Sequence, residues 1–219
     1  MFALVESGTI TQFPNGNKGI TIGDNQYPQS IYTLWTEAER NAIGIYTVEI
    51  DETNKKNEEF YINTDITYSF GSNKVTGVYG TATAKQLNDI LYTQSEVDED
   101  TYEAPHPKAG ERISGETWVA NDVKSTGLKT KYKNIFNAQA AGLLAKTDWY
   151  VIKATDVTSY SVPSNITTYR ANVRTKVNSM ETQIDNCSDV AALETLLTYT
   201  IDSEGVSSRP LGEFPEEVV

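Results

Sequence analysis

Residues 163–184 read PSNITTYRANVRTKVNSMETQI, and this stretch decides the fold of the C-terminal half. Apolar or aromatic side chains recur there at steps of three and four, the spacing of one face of an α-helix. They are Ile166, Tyr169, Val173, Val177, Met180 and Ile184. Pro163 and Ser164 are residue types that commonly begin a helix. The stretch therefore predicts a helix that begins at Ser164 and buries this stripe.

Two further helical patterns flank this stretch. The preceding one comprises Leu128, Tyr132, Ile135, Phe136, Leu143 and Leu144. The following one begins near Ser188 and places Val190, Leu193, Leu196 and Leu197 inward. Two helices of roughly 20 residues and one of roughly 11 can bury a shared core as an antiparallel bundle. We therefore expect an antiparallel helical hairpin or three-helix module over residues 116–201.

The N-terminal residues carry strand patterns instead. Runs rich in β-branched and aromatic residues lie at 45–50, 60–62, 66–70 and 74–79, separated by turn residues. The last two runs predict a hairpin around residues 71–73. Alternation along 45–50 predicts a strand with one face buried and the other exposed.

Short helices are expected to interrupt this β-rich region. Thr36 and Glu39 have the spacing of a capping box, and Gly44 is placed to end that helix in a left-handed conformation. Residues 84–92 predict a second short helix, with Leu87, Ile90 and Leu91 on one side.

The fold class predicted from these patterns is α+β, in four segments. A β-rich module with short helices covers 1–94, an acidic linker containing prolines covers 95–115, the helical module covers 116–201, and an extended tail covers 202–219. The linker holds the acidic run 96–100, and a short strand is expected at 117–119. The tail contains two glycines and two prolines, which favours an extended or disordered segment.

Composition excludes several classes of protein. The 219 residues include 18 Lys and Arg against 30 Asp and Glu, giving a net charge of −12. Such a charge argues against nucleic acid or an anionic membrane as the partner. We identify no signal peptide and no apolar run near the ~18 residues of a membrane span. Cys187 is the single cysteine, so no internal disulfide is possible and a reducing cytoplasm is expected.

The sequence offers little for catalysis. The single histidine, His106, lies between two prolines and is best interpreted as a solvated linker residue. Cys187 is best interpreted as a helix-packing thiol, and one Cys and one His cannot supply the roughly four ligands of a zinc site. We therefore expect no enzyme, no metal and no cofactor. A carboxylate pair that hydrolyses glycan stays open as an alternative, without a positive signal.

Positive charge is concentrated in the C-terminal half. It is carried by Lys124, Lys129, Lys131, Lys133, Lys146, Lys153, Arg170, Arg174 and Lys176. Solvated helix faces are the favoured interpretation, and a docking surface for an acidic partner is the alternative.

Residues 143–177 carry a resemblance. A leucine pair, Leu143-Leu144, precedes Asp148-Trp149, and after a loop to Pro163 the chain continues with Tyr169-Arg170 and then Arg174. This order resembles the C-terminal module of tailed-bacteriophage tail-fibre assembly proteins, the fibre chaperones. In that family a helix ending in a leucine pair runs into a Thr-Asp-Trp element, and a Pro-started helix with Tyr-Arg and a further Arg follows.

The resemblance implies a chaperone that binds the distal region of a trimeric tail fibre and promotes its folding and trimerisation. It implies assembly in the host cytoplasm, with retention on the virion tail left open. The implied partner-binding residues are Asp148, Trp149, Tyr169, Arg170 and Arg174. The alternative function is a structural tail, baseplate or fibre-associated subunit of the virion.

The same residues also have a structural interpretation. Tyr169 and Val173 should face the helical core by their spacing. Trp149 is expected to cover the gap between the two long helices, and Arg170 could pair with Asp148 across the hairpin. For these residues, a role in packing is therefore favoured over direct contact with a partner.

Overall fold

The computed structural model describes residues 1–99 and 120–218. Strands make up 24% of the chain and helices 36%, with strands concentrated in the N-terminal part and helices in the C-terminal part, so the predicted α+β class is confirmed. The chain divides into two compact units, Met1–Thr83 and Ala84–Val219. His106, most of the predicted linker and the strand predicted at 117–119 lie outside the described residues.

The first unit is built around a five-stranded sheet. Its elements are β1 (Phe2–Glu6), β2 (Thr9–Gln12), β3 (Ile20–Ile22), β4 (Asn25–Tyr27), α1 (Ile31–Leu34), α2 (Glu37–Ala42), β5 (Ile45–Asp51), β6 (Tyr61–Ile62), β7 (Ile66–Gly71) and β8 (Lys74–Tyr79), and β9 (Thr83–Ala84) follows at its boundary. The strand order is β2-β1-β5-β8-β7. The central strand β5 runs antiparallel to β1 and parallel to β8.

Tight turns set the register of the two outer hairpins. Ser7 and Gly8 have φ of 51° and 78°, and Ser72 and Asn73 have φ of 53° and 61°. Positive φ at both central positions is the mark of a type I′ turn, whose twist matches that of the flanking strands. The predicted hairpin is confirmed, since β7 and β8 pair in one register from Ile66↔Tyr79 to Gly71↔Lys74.

Both faces of the sheet are covered near its centre. Leu4 and Ile45 pack on one side against Ile20, Ile31 and Tyr32. Ala3, Val5, Val48 and Val75 form the cluster on the other side. The prediction of a single buried face along 45–50 is therefore wrong. Residues of α1 and β3 cover the face that carries Ile45, whereas the end of β5 is exposed on both sides.

The capping box of α2 is confirmed. The Glu39 amide donates to the Thr36 hydroxyl at 3.3 Å, and the Glu39 carboxylate accepts from the Thr36 amide at 2.8 Å. Gly44 follows the helix with φ of +84°, as predicted. A Cβ at Gly44 would lie 2.6 Å from the Val5 carbonyl oxygen, so glycine is required where the chain passes β1.

The second unit is dominated by helices. Its elements are β10 (Ile90–Leu91), α3 (Gln94–Glu99), β11 (Val123–Ser125), α4 (Leu128–Ala145), α5 (Asp148–Asp156), α6 (Ser164–Asp185), α7 (Val190–Leu197), β12 (Thr200–Ile201) and β13 (Ser207–Ser208). Lys133 near the start of α4 pairs with Asp185 at the end of α6, so the two long helices are antiparallel. All six residues of the predicted α6 stripe are buried.

Two sequence predictions in this unit are corrected. The helix predicted over 84–92 is absent, because Ile90 and Leu91 form β10 and pair with β11. The tail predicted to be extended or disordered contains β13, which pairs with β12 just before the tail, and it is anchored by Leu211, which is fully buried. The Leu211 amide donates to the Leu196 carbonyl at 3.1 Å, and the Leu211 carbonyl accepts from Lys176 Nζ at 2.7 Å.

Candidate functional site

The residues that carry the resemblance meet where α4 ends and α5 begins. Arg170, on the buried side of α6, extends its guanidinium to this corner. Its Nη1 donates to the Leu144 carbonyl at 2.8 Å and to Thr147 Oγ1 at 2.7 Å. A cation at this point complements the carbonyls that a helix C-terminus leaves unpaired. Arg170 therefore caps α4 from a neighbouring helix.

The same guanidinium also binds the first residue of α5. Arg170 Nη2 lies 2.8 Å from Asp148 Oδ1, so the predicted pairing of these two residues is present. The Asp148 side chain is half-exposed, which limits the stabilisation that the ion pair itself provides. The arginine thus fixes the α4–α5 corner through one carbonyl, one hydroxyl and one carboxylate.

Tyr169 lies beside this corner and faces the core, as predicted. It is 4% exposed, and its hydroxyl has no hydrogen-bond partner among the described residues. Burial raises the pKa of the Tyr169 hydroxyl, with a smaller contribution from Glu217 opposed by Lys146. Glu217 in turn pairs with Lys146, which follows α4. The C-terminal segment therefore reaches the same corner.

Trp149 is not where the sequence placed it. It is 51% exposed and does not close the gap between the long helices. Its ring stacks on the neighbouring Tyr150 at 3.9 Å, and Lys153 Nζ lies 5.6 Å from its centroid. The rest of α5 is likewise at the surface, since the helix contains no buried residue.

Helix α5 consequently presents apolar side chains to solvent. We call Trp149 and Ile152, which lie three residues apart on one side of the helix, the α5 face; their exposed fractions are 51% and 61%. Val151, which is 41% exposed, lies on another side of α5. Soluble proteins rarely leave apolar side chains grouped in this way unless the surface contacts another molecule. Tryptophan is among the residue types most often found in energetic hot spots of interfaces.

Arg174 lies one helical turn after Arg170 and has no contact with Leu144, Thr147 or Asp148 among the hydrogen bonds and ion pairs of the described residues. Its side chain is exposed, and its Nη1 donates to the Arg170 carbonyl at 3.4 Å. Within residues 1–99 and 120–218, no carboxylate forms an ion pair with it. The structure therefore brings together four of the five predicted site residues and leaves Arg174 at the edge.

Most of the basic residues noted in the sequence have partners within the second unit. Lys124 pairs with Glu96, Lys133 with Asp185 and Lys146 with Glu217. Lys129 donates to the Asp185 carbonyl and Lys176 to the Leu211 carbonyl. This arrangement fits the interpretation of cations that balance neighbouring acids, rather than a free basic surface.

Cys187 has the environment of a packing thiol. It is buried, its Sγ donates to the Gln183 carbonyl, and burial raises its pKa. A thiol in that state is a poor nucleophile. Over the described part of the chain, no group of three His, Cys, Asp or Glu side chains is arranged to hold a metal ion. Within the same part, no helix is both long and apolar enough to cross a bilayer.

Comparison with known proteins adds no relative: no family model, curated protein or solved structure matches the chain.

Sequence reasoning missed two parts of this corner. Thr147, 4% exposed, accepts from Arg170 and donates to the Leu144 carbonyl at 2.9 Å. Its burial has no sequence signal, because a threonine between Lys146 and Asp148 is typical of a surface turn. Helix α5 was missed because its apolar residues face solvent and form no inward stripe.

Proposed function

We propose that this protein is a tail-fibre assembly chaperone, which binds the distal region of a trimeric bacteriophage fibre and promotes its folding and trimerisation. The observation that carries the proposal is the Arg170-centred corner, where the residues that resemble the fibre-chaperone family lie together beside the exposed α5 face. Binding is the only chemistry required of the site.

The geometry suggests two roles for these residues, one in positioning α5 and one in contacting the partner. Arg170, Thr147 and Asp148 hold the start of α5 in place, and Tyr169 is buried in the core next to Arg170 in the sequence. The α5 face supplies the contact, because Trp149 and Ile152 can bury apolar area against an unfinished fibre end. A fibre end that has not trimerised exposes apolar surface and unpaired strand edges, which aggregate unless they are covered.

The test is co-expression of this chain with the fibre encoded next to its gene. We expect the fibre to become soluble and trimeric by size exclusion only when the chain is present. A fibre that trimerises equally well alone, or that stays insoluble with the chain, contradicts the proposal.

Variants locate the contact. Trp149→Ala and Ile152→Ala should abolish or strongly reduce the yield of soluble trimer while leaving the helical circular dichroism unchanged, since both side chains are exposed. Ile201→Ala is the matched control, because Ile201 is an exposed isoleucine of the same unit on the β12–β13 hairpin. Equal yields from Ile152→Ala and Ile201→Ala would exclude the α5 face as the binding surface.

Mass spectrometry of purified particles distinguishes the alternative function. A chaperone that acts transiently in the host cytoplasm is missing from finished virions. A stoichiometric amount of the chain in particles would instead identify a structural tail, baseplate or fibre-associated subunit.

A further inference from the structure

We propose that the first unit binds a saccharide unit in a pocket between the end of β2, the loop that follows it and α1. The pocket has a volume of about 240 Å³. It is lined by Gln12, Phe13, Asn15, Lys18, Ile20 and Tyr32, with Pro14 and Gly19. The inference does not rest on the proposed function, because every lining residue belongs to the unit Met1–Thr83.

The wall of this pocket is held by close backbone packing. Gly16 has φ of +74°, and a Cβ there would lie 3.4 Å from the Phe2 ring and 3.7 Å from the Tyr32 ring. A Cβ at Gly19 would lie 2.5 Å from the Tyr27 carbonyl oxygen, so only glycine fits. The loop is therefore pressed onto the core of the unit, and the pocket is preformed.

The lining combines an aromatic ring with side-chain amides. Phe13 is 43% exposed although its ring packs against Tyr68 at 4.7 Å. Gln12 and Asn15 each carry an amide that both donates and accepts hydrogen bonds. A sugar ring has a matching character, with an apolar C–H face and hydroxyl groups along its edge that also donate and accept.

A buried hydroxyl gives an independent observation. Tyr32 is 7% exposed, and its hydroxyl has no hydrogen-bond partner among the described residues. Burial also raises the pKa of this hydroxyl, which keeps it protonated. Buried polar groups without a partner are rare in native proteins. Tyr32 lines the pocket, so a small adjustment of its side chain would let a ligand hydroxyl satisfy this group.

The size of the pocket and the charge of its lining restrict the class of ligand. The volume lies just below the roughly 300 Å³ at which pockets for drug-sized ligands begin, which suits a ligand of one ring. Lys18 is the single charged side chain of the lining. A ligand of several charges, such as a nucleotide, would therefore lack counter-charges, whereas a neutral or singly acidic sugar would not.

The test is a titration of the full chain followed by two-dimensional amide NMR. The probes are the methyl glycosides of glucose, N-acetylglucosamine and glucuronic acid. We expect at least one probe to bind with a Kd of about 1–10 mM and to shift amide signals of residues 12–20 and of Tyr32. The absence of any shift with each probe at about 50 mM would overturn the proposal.

Two variants show whether the binding is in the pocket. Phe13→Leu keeps an apolar contact with Tyr68 but removes the ring, and Gln12→Ala removes an exposed amide. Each should weaken binding by about tenfold, which corresponds to ~1.4 kcal/mol. Ile62→Ala, an exposed change elsewhere in the same unit, is the control and should bind normally. Binding that survives both pocket variants, or shifts confined to the second unit, would also overturn the proposal.

Discussion

Asp148 Oδ1 and Arg170 Nη2 lie 2.8 Å apart, and this contact joins α5, which buries no side chain, to α6, which buries seven. A nine-residue helix is too short to be stable alone in water. Helix α5 therefore depends on the polar corner that Arg170 organises. The exposed face that we propose as the binding surface is positioned by an arginine that lies beneath it.

Replacing Arg170 should cost more stability than replacing Asp148. Arg170→Ala removes three hydrogen bonds made by one charged group and leaves the buried Thr147 hydroxyl without that donor. We expect a loss of about 2–3 kcal/mol in the free energy of unfolding. Asp148→Asn should cost less than about 1 kcal/mol, because that carboxylate is half-exposed. Urea denaturation followed by far-ultraviolet circular dichroism measures both.

Arg170→Lys and Arg174→Ala complete this series. Lysine keeps the charge but lacks the planar guanidinium that binds the Leu144 carbonyl, Thr147 and Asp148 together. The loss of stability for Arg170→Lys should therefore lie between the losses for Asp148→Asn and Arg170→Ala. Arg174→Ala should change stability by less than about 0.5 kcal/mol, since Arg174 is exposed. Equal losses for Arg170→Ala and Arg174→Ala would show that the corner contributes little.

A second prediction concerns pH. The hydrogen bond from Lys124 and that from the Thr93 amide lower the pKa of Glu96 to about 2 from its usual 4.5. A depressed carboxyl pKa stabilises the folded state above pH 4.5, and that stabilisation is lost as the pH falls from 4.5 towards 2. The melting temperature of the wild type should therefore fall more steeply over this window than that of Glu96→Gln.

The control for this pH dependence is Glu194→Gln. Glu194 lies in α7 of the same unit, and its carboxylate forms no ion pair with any of the described residues, so its removal should leave the slope unchanged. The interpretation would be wrong if the wild type and Glu96→Gln lost stability in parallel between pH 4.5 and 2.

A third prediction concerns the helix cap in the first unit. Thr36→Ala removes the side chain that accepts from the Glu39 amide, and we expect a loss of about 1 kcal/mol. The same change should raise the pKa of Glu39, because hydrogen bonds from Thr36 now lower it. Thermal denaturation measures the first effect and carboxyl NMR titration the second. Glu37→Gln, in the same helical turn but outside the box, should leave the pKa of Glu39 low.

A fourth prediction concerns the C-terminal segment. Leu211→Ala empties a fully buried site and should cost about 2–5 kcal/mol. Because Leu211 anchors the segment after β13, limited proteolysis should then cut within 209–218 much faster than in the wild type. Val206→Ala, an exposed change in the same hairpin, should leave the rate of cleavage unchanged. Rapid cleavage of the wild type at these positions would contradict the anchoring.

Elements with an inward stripe were the ones that the sequence predicted well. Helix α6 has six buried residues at helical spacing, and the β7–β8 hairpin has both a strand pattern and a turn signal. The pairing of Arg170 with Asp148 could be anticipated from opposite charges on the two sides of one helical hairpin.

The errors arose where partners distant in the sequence decide the structure. Ile90 and Leu91 have helical spacing with Leu87, yet they pair with Val123 and Ser125 of β11. No local pattern contains that pairing, and tertiary contacts override weak helix propensity. The prediction that Trp149 covers the gap between the long helices is wrong for a related reason: the sequence does not show that α5 lies at the surface.

The order of strands in the first unit has a consequence for how that unit folds. The hairpins β1–β2 and β7–β8 form between neighbours in the chain and can close within microseconds. Strand β5 must then join them, antiparallel to one and parallel to the other, across longer loops. Contacts between residues far apart in the chain slow folding. Docking of β5 should therefore be the rate-limiting step. The two hairpins form earlier, and the sheet is complete only when β5 pairs with both of them.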